Sequence, residues 1–276
     1  MTELLFKFDE IGIWSELKLE IIEQYGAAYT KAFARTSNLK KYYIDAFSGA
    51  GKHVAKKTKA QVEGSPARAL KVRPPFDGYC FIDLDGKKTD FLRATCGDRQ
   101  DVDIHTGDAN EYLTKTVLPK IQYERFTRAL CLLDPYGLDL NWEVILQAGQ
   151  SQAVDMFLNF PVMDINRNAI WHHPDKVPQD GIERMHKFWG NDSWRAAAYV
   201  ESKQQNLFSG PDKIKQPNDA IVAAFRERLK KVAGFTFVPD PLPMRNSKKT
   251  DVYYLFLASP KAVAQKIITD IFNKYR

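Results

Sequence analysis

The sequence predicts an α/β fold with a doubly wound, mostly parallel sheet. Three observations support this class: short apolar strands alternate with helical segments, four consecutive strands end in an aspartate, and a glycine turn follows the first strand. Alternation of strands and helices is typical of βαβ units, whose crossovers make neighbouring strands parallel. Ligands of such sheets bind outside the carboxyl ends of the strands, so that edge is where a site is expected.

The elements follow one another in a regular order. An amphipathic helix is predicted at 14–36, because apolar residues recur there at three- and four-residue steps. Five strands are predicted at 41–46, 79–85, 102–110, 128–137 and 154–161, with helices between them at 65–72, 87–94, 110–121 and 142–148. After Pro161 the alternation stops. A helix at 219–232, two antiparallel strands within 234–259 and a helix at 261–275 then complete the fold.

We therefore expect a single α/β domain over residues 1–276. Its predicted parts are an N-terminal helical region at 1–40, a core at 41–161, a helical insertion at 162–217 and a helix–strand–strand–helix unit at 218–276 that completes the sheet. The insertion is polar, aromatic and weakly periodic, and we expect it to cover the carboxyl edge of the sheet.

Composition narrows the class of protein. The chain of 276 residues carries a formal net charge of +6, which suits a nucleic-acid partner without requiring one. Its three cysteines, Cys80, Cys96 and Cys131, have neither disulfide nor zinc-site spacing and indicate a reducing compartment. The first ten residues lack signal-peptide character, and no apolar run reaches membrane-spanning length. We expect a cytoplasmic protein with no membrane partner.

The stretch Tyr42 to Gly51 is a buried strand that runs into a glycine turn. Asp45 ends the apolar run, and Gly49 and Gly51 follow at alternate positions. Because glycine has no Cβ, the chain can turn sharply there and a ligand can approach the backbone. A plain strand-to-loop connection is the alternative interpretation.

Acidic residues at the strand ends strengthen the ligand interpretation. Asp45, Asp83, Asp108 and Asp134 end four consecutive strands and should meet at one edge of the sheet. Asp83 is placed to accept hydrogen bonds from two ribose hydroxyls. Asp108 and Asn110 are placed to contact the edge of an adenine ring. Each aspartate taken singly is better explained as a helix N-cap, but four in order favour a polar ligand.

The tripeptide Asp134-Pro135-Tyr136 has the features needed for chemistry on an exocyclic amine. Asp134 can accept the amine N–H, Tyr136 can stack the ring that carries the amine, and Pro135 stiffens the link between them. A turn with a structural tyrosine is the alternative.

A basic segment, Lys52 to Gly64, follows the glycine turn. Its lysines, which we predict to contact phosphates, are Lys52, Lys56, Lys57 and Lys59. A solvated loop is the alternative. The Gly49–Lys52 string does not make a Walker A motif, because Ala46 and His53 replace the required Gly and Ser or Thr, and Val54 breaks a dinucleotide fingerprint.

Metal binding was also considered. His172, His173 and His186 lie in the insertion, but adjacent histidines point apart on regular structure, so we predict no metal site.

The order YIDAFSGAG, GSP, FIDLD, GDAN, LLDPYG, NFP resembles the three-Cys-motif partner (TcmP) family, a branch of the Rossmann-like S-adenosylmethionine methyltransferases. The resemblance covers most of the chain and implies a class I methyltransferase fold that binds S-adenosylmethionine. It assigns the cofactor's methionine part to Asp45, Phe47, Gly49 and Gly51, the ribose to Asp83, the adenine side to Asp108, and the substrate side to Asp134, Pro135 and Tyr136. The motif D-P-Y-G is similar to the D-P-F-G of tRNA guanine-N2 methyltransferases.

Two functions remain open at this point. The first is an S-adenosylmethionine-dependent methyltransferase that acts on an exocyclic amine of a nucleobase in RNA or DNA. The second is a non-catalytic or partner-dependent Rossmann-like protein; the family's name implies a partner with three cysteines, similar to iron–sulfur radical enzymes. A small-molecule methyltransferase is a third, weaker hypothesis.

Overall fold

The computed structural model describes residues 7–206, 210–246 and 248–275 of the chain. The first six residues, on which part of the signal-peptide prediction depends, lie outside these ranges, as do residues 207–209 of the insertion. The strands are β1 (Glu10–Ile11), β2 (Lys40–Asp45), β3 (Lys52–Ala55), β4 (Gln61–Glu63), β5 (Gly78–Asp83), β6 (Val102–Thr106), β7 (Thr127–Leu133), β8 (Val154–Phe160), β9 (Tyr199–Asn206), β10 (Gly210–Lys215), β11 (Leu242–Arg245) and β12 (Asp251–Ala258).

Helices connect most of these strands. The α-helices are α1 (Ile13–Ala32), α2 (Ser65–Ala69), α3 (Gly86–Cys96), α4 (Ala109–Tyr112), α5 (Trp142–Gln150), α6 (Val162–Asn168), α7 (Gln179–Trp189), α8 (Trp194–Ala198), α9 (Asn218–Lys231) and α10 (Val263–Phe272). A π-helical turn at Leu113–Val117 and a 3₁₀ turn at Leu118–Lys120 extend α4. None of the helices in the described ranges is both long and apolar enough to span a membrane.

The central sheet confirms the predicted fold class. It has seven strands in the order β11-β12-β8-β7-β2-β5-β6. β2 pairs in parallel with both β5 and β7, while β12 is antiparallel to β8 and to β11. The strand order reverses at β2, and the carboxyl ends of β2, β5 and β7 therefore border the crevice in which doubly wound sheets bind ligands.

Helices cover both faces of this sheet. On one face α1, α2 and α10 bury a cluster that includes Tyr25, Phe81 and Phe272. On the other face α5, α7 and α9 bury Ile145, Phe188 and Phe225. The strands can be almost wholly apolar because each face is covered, and their polar residues are left at the ends.

Two segments contain strands that the sequence pattern did not predict. The basic segment is a hairpin rather than a loop: β3 pairs antiparallel with β4, and β1 joins β3 in parallel through Glu10 and Val54. The insertion contains α6, α7 and α8 but ends in the antiparallel hairpin of β9 and β10. Both hairpins are short or polar, so neither produces the apolar run from which a strand is recognised in a sequence.

Candidate active site

A cleft of about 400 Å³ lies at the carboxyl edge of the sheet. Five of the predicted site residues line it: Phe47, Asp83, Asp108, Asn110 and Tyr136. The other predicted residues of the cofactor and substrate motifs, which are not among its lining residues, are Asp45, Gly49, Gly51, Asp134 and Pro135. Cavities of about 380 Å³ and 480 Å³ elsewhere contain none of these residues. The fold thus brings the ends of β2, β5, β6 and β7 to one cleft.

Gly49 and Asp83 form the floor of the site. Oδ2 of Asp83 accepts the backbone N–H of Gly49 at 2.8 Å, and its Oδ1 accepts that of Asp85 at 2.9 Å. Gly49 has φ +61°, and a Cβ built there would have no atom within 4 Å. Glycine adopts this left-handed backbone readily and leaves the space beside it empty, whereas any other residue would fill it with a side chain. We call this open space at Gly49 the glycine cradle. Gly51 differs, since at φ +72° its Cβ would lie 2.9 Å from Cδ1 of Leu92.

Asp45 lies behind this floor as a buried carboxyl group. Its Oδ1 accepts the Phe47 N–H at 3.4 Å, and its Oδ2 is buried without a hydrogen-bond partner. Burial raises the pKa of Asp45 to about 7, although a hydrogen bond from Ser65 acts in the opposite direction. An unsatisfied buried oxygen is unusual and suits a ligand with an N–H donor or a positive charge.

Together these features fit the cofactor that the resemblance implies. The open cradle at Gly49, the unpaired oxygen of Asp45 and the acidic end of β5 would receive the methionine part and the ribose of S-adenosylmethionine. Asp83 keeps lone pairs for two hydroxyl groups, because each of its oxygens accepts only one hydrogen bond from the chain.

Asp108 and Asn110 line the cleft with most of their polar atoms already bonded. Oδ1 of Asp108 accepts the N–H groups of Asn110 at 2.7 Å and Glu111 at 3.2 Å, which caps α4. The Asn110 amide donates to the Asp139 carbonyl at 3.1 Å and accepts the Asn141 N–H at 2.7 Å. Both side chains therefore shape the adenine side of the cleft, and Asn110 does so by holding the loop after β7.

Asp134 is held by two donors from distant parts of the chain. Lys18 on α1 forms an ion pair with its Oδ2, and the side-chain amide of Asn159 on β8 donates to its Oδ1. Lys18 is buried, whereas the Asp134 side chain keeps 30% of its surface exposed. Asp134 is thus a hydrogen-bond acceptor in a fixed orientation at the end of β7.

Tyr136 presents its ring at the cleft and is 63% exposed. Its hydroxyl donates to Asp9 at 3.3 Å, and the ammonium of Lys88 lies 5.8 Å from the ring centroid. Lys88 also forms a 2.7 Å ion pair with Asp9. Burial acts to lower the pKa of Lys88, but the hydrogen bond to Asp9 together with the charges of Asp9, Tyr136 and Asp83 outweighs it, and the pKa is raised to about 12. The ring is therefore accessible while its edge is anchored.

The four lysines predicted to contact phosphates occupy the β3–β4 hairpin. Lys56 and Lys57 are exposed at its tip. Lys59 forms a 2.9 Å ion pair with Glu10, and the Lys52 ammonium lies 5.8 Å from the Phe91 ring centroid. The tip lysines are thus the more available pair.

Several residues of the site were missed by sequence reasoning. They are Lys18, Lys88, Asn159 and, lining the cleft from α7, Arg184 and Lys187. Lys18 left a signal: it lies four residues after Trp14 and four before Ile22, within the apolar stripe of a helix. Asn159 also left one, since it is a polar residue in the apolar run of β8 and the first residue of the NFP motif. Lys88, Arg184 and Lys187 stand in polar or mixed sequence and left none.

The insertion histidines do not form a recognised metal site. Within the described ranges no group of three or more His, Cys, Asp or Glu side chains is arranged to hold a metal ion. His172 and His173 are exposed. His186 lies beside Trp194, with ring centroids 5.9 Å apart.

The solved structures that resemble this chain are only distantly similar to it. No protein-family model matches the chain, and no curated protein matches it. An S-adenosylmethionine-dependent methyltransferase from Mesorhizobium loti is 13% identical, with a TM-score of 0.37, over 84% of this chain and 97% of that one. The CurJ carbon methyltransferase is 11% identical, with a TM-score of 0.45, over 90% of this chain and 56% of that one.

A third match is a chain of the complex between the Haloferax volcanii Trm112 methyltransferase activator and a methyltransferase candidate. It is 10% identical, with a TM-score of 0.37, over 90% of this chain and 93% of that one. At these values the likeness says nothing about substrate. The strand order itself, with β12 antiparallel beside β8, is that of class I methyltransferases.

Proposed function

We propose that the protein is an S-adenosylmethionine-dependent methyltransferase that acts on an exocyclic amine of a nucleobase in RNA or DNA. One observation carries the proposal: Asp83 and the ring of Tyr136 line one cleft at the carboxyl edge, Gly49 is hydrogen-bonded to Asp83, and Asp134 follows β7 two residues before Tyr136. A cofactor bound at Gly49 and Asp83 would lie next to an amine bound at Asp134 and Tyr136.

The cofactor would be held mainly by the chain after β2 and β5. Asp83 binds the ribose hydroxyls, Phe47 and the Gly49 cradle enclose the methionine part, and Asp108 borders the adenine. When bound, S-adenosylmethionine supplies an electrophilic methyl group on a positively charged sulfur. The protein's contribution is to align that methyl group with the amine and to exclude water.

The target amine would be oriented by the D-P-Y motif. Asp134 accepts one N–H of the amine with a lone pair that Lys18 and Asn159 leave free. Tyr136 stacks against the base. The amine nitrogen forms the new bond to carbon, the carbon–sulfur bonding pair stays on sulfur, and the nitrogen then releases its proton to water.

The charge around the cleft supports a nucleic-acid substrate. Lys56 and Lys57 at the hairpin tip and Lys187 at the cleft are exposed cations. Cations that flank a stacking aromatic side chain are typical of single-stranded nucleic-acid sites. A base within a duplex would have to be flipped out to reach Tyr136.

Calorimetric titration tests the cofactor site. The wild type should bind S-adenosylmethionine and S-adenosylhomocysteine, and Asp83→Asn should weaken both by about tenfold or more, because it removes a charge-assisted acceptor. Asp85→Asn is the matched control: Asp85 lies two residues further on and caps α3. Equal affinities in all three proteins would contradict the assignment of Asp83.

Transfer of a tritiated methyl group to total RNA and to genomic DNA tests the reaction. The wild type should label one of the two pools. Asp134→Asn should strongly reduce the labelling, without abolishing it, while its cofactor affinity stays within a few-fold. Equal loss of affinity and transfer would mean that Asp134 acts on the cofactor site rather than on the substrate.

One observation favours the second candidate, a partner-dependent protein that acts with a three-cysteine iron–sulfur protein. Both polar groups of the D-P-Y motif contact the N-terminal part of this chain, Asp134 through Lys18 and Tyr136 through Asp9. A partner that displaced the N-terminal segment would uncover them. Cofactor binding without methyl transfer to any nucleic-acid pool, and transfer only after the partner is added, would support this function.

A further inference from the structure

Lys18 is a charged residue on the apolar face of α1. It is 5% exposed, and its buried neighbours on the same helix include Leu19, Ile21 and Ile22. Burying an ammonium group is costly unless a specific partner compensates for it. A residue that only packed α1 against the sheet would do so better as leucine or methionine, so the charge at this position needs an explanation.

The contacts of Lys18 point to Asp134. Its ammonium pairs with Oδ2 of Asp134 across 116 positions of sequence, while Asn159 holds Oδ1. The Tyr253 ring lies on another side of the same ammonium, with its centroid 5.7 Å away. Two donors from two different elements fix the plane of the carboxylate. A single donor would let it rotate about its Cβ–Cγ bond.

Asp45 adds a second reason for a cation at this place. Asp45 and Asp134 end the neighbouring strands β2 and β7, so their carboxyl groups lie at the same edge. Besides burial, which dominates, the charge of Asp134 raises the pKa of Asp45 and the charge of Lys18 lowers it. Lys18 therefore lies within electrostatic reach of both groups and offsets their mutual repulsion.

We propose that Lys18 is a positioning residue for methyl transfer, which holds the carboxylate of Asp134 oriented toward the target amine. The inference rests on the proposed function. Lys18 itself takes no proton: the nitrogen–carbon bond forms, the carbon–sulfur pair remains on sulfur, and water accepts the proton of the methylated amine. Helix α1, which lies outside the cofactor motifs, thereby becomes part of the active site.

A double-mutant cycle on the full chain tests this role. Lys18→Met, Asp134→Asn and the double variant are compared with the control Lys31→Met, which removes an exposed lysine of the same helix. Lys18→Met should lower the rate of methyl transfer about tenfold or more, as expected for a lost charge-assisted hydrogen bond, and leave cofactor affinity unchanged. Because Lys18 acts through Asp134, the double variant should lose no more than Asp134→Asn.

Two further readouts separate positioning from structure. Lys18→Arg should restore part of the rate, since it returns the charge, and Lys18→Met should lower kcat without raising the KM for S-adenosylmethionine. Losses that add in the double variant, a rate unchanged by Lys18→Met, or a fall in cofactor affinity equal to the fall in rate would each overturn the proposal.

Failure of the proposed function would look different. In that case the wild type transfers no methyl group to RNA or DNA, whatever residue is at position 18. The contact is then tested by NMR of the lysine ammonium groups, with no substrate present. A protected Lys18 signal that disappears in Asp134→Asn supports the pairing, and its absence from the wild type overturns it.

Discussion

The backbone N–H of Gly49 donates to Oδ2 of Asp83 at 2.8 Å, which ties the turn after β2 to the acidic end of β5. The two residues are 34 positions apart in the chain. Their bond makes the glycine turn and Asp83, the acid proposed to bind the ribose, one unit. Substitution of either residue should therefore lower the affinity for the proposed cofactor more than it lowers the free energy of unfolding.

Gly49→Ala should weaken cofactor binding beyond its effect on folding. The left-handed backbone at φ +61° costs an L-residue about 1 kcal/mol, and the new methyl group would enter the open cradle. Gly97→Ala is the control, because Gly97 has φ +63° and equally open space but ends α3 away from the cleft. Denaturant unfolding should show a loss of stability for both variants, and calorimetry a loss of affinity for Gly49→Ala alone. Similar affinities would contradict the cradle.

Asp45 should make the free energy of unfolding fall as the pH rises. Its pKa is about 7 in the folded protein and about 3.9 in an unfolded chain. Below the unfolded value the carboxyl group is protonated in both states. Between the two values only the folded state holds the proton, so the free energy of unfolding falls as the pH rises. The fall reaches up to about 4 kcal/mol once the pH has passed 7. Denaturant unfolding at pH 5 and pH 8 should show about 3 kcal/mol of this loss, because about one unit of the interval lies below pH 5.

Asp45→Asn should flatten that dependence, since asparagine carries no proton to lose. Between pH 5 and pH 8 the free energy of unfolding should fall less in the variant than in the wild type. The same pH slope in both proteins would mean that Asp45 ionises as it does in the unfolded chain.

The hairpin tip should contribute salt-dependent affinity for nucleic acid. Lys56→Ala with Lys57→Ala removes two exposed cations and should lower the slope of log affinity against log salt by roughly 1 to 1.5 on single-stranded RNA. Fluorescence anisotropy at several salt concentrations measures the slope. Lys266→Ala, an exposed lysine on α10, is the control and should leave it unchanged. An equal slope in the hairpin variant would remove the tip from the interface.

Tyr136 should act through its ring rather than its hydroxyl. Tyr136→Phe loses the bonds to Asp9 and Lys88 but keeps the stacking face, so it should retain most of the transfer rate. Tyr136→Ala should lose about tenfold or more, the value of one base-stacking contact. Steady-state rates on the labelled nucleic-acid pool compare them. Equal losses in the two variants would assign the role to the hydroxyl.

The predictable part of the molecule is the part encoded locally. Apolar runs ending in Asp45, Asp83 and Asp134 revealed three central strands, because a strand buried on both faces has few polar positions except at its ends. The antiparallel pairing of β11 and β12 followed from the short link between them. The hairpin of β3 and β4 was missed because its strands are short and polar, and its third strand, β1, comes from about forty residues earlier in the chain.

The roles of individual polar groups were less predictable. The sequence could suggest that Asp108 and Asn110 lie near a ligand, but not that Asp108 caps α4 or that the Asn110 amide holds the loop at Asp139. A carboxylate or an amide has several potential partners, and only the folded chain selects among them.

The sequence alone therefore determined the alternation of elements, the sheet class and the acidic edge, since these depend on periodicity and on the chemistry of single residues. Only the tertiary structure decided which groups meet there. The pairing of Lys18 with Asp134 and of Asp9 with Lys88 joins segments 116 and 79 positions apart. Such contacts have no local signature, because the packing of α1 and of the N-terminal strand on the sheet creates them.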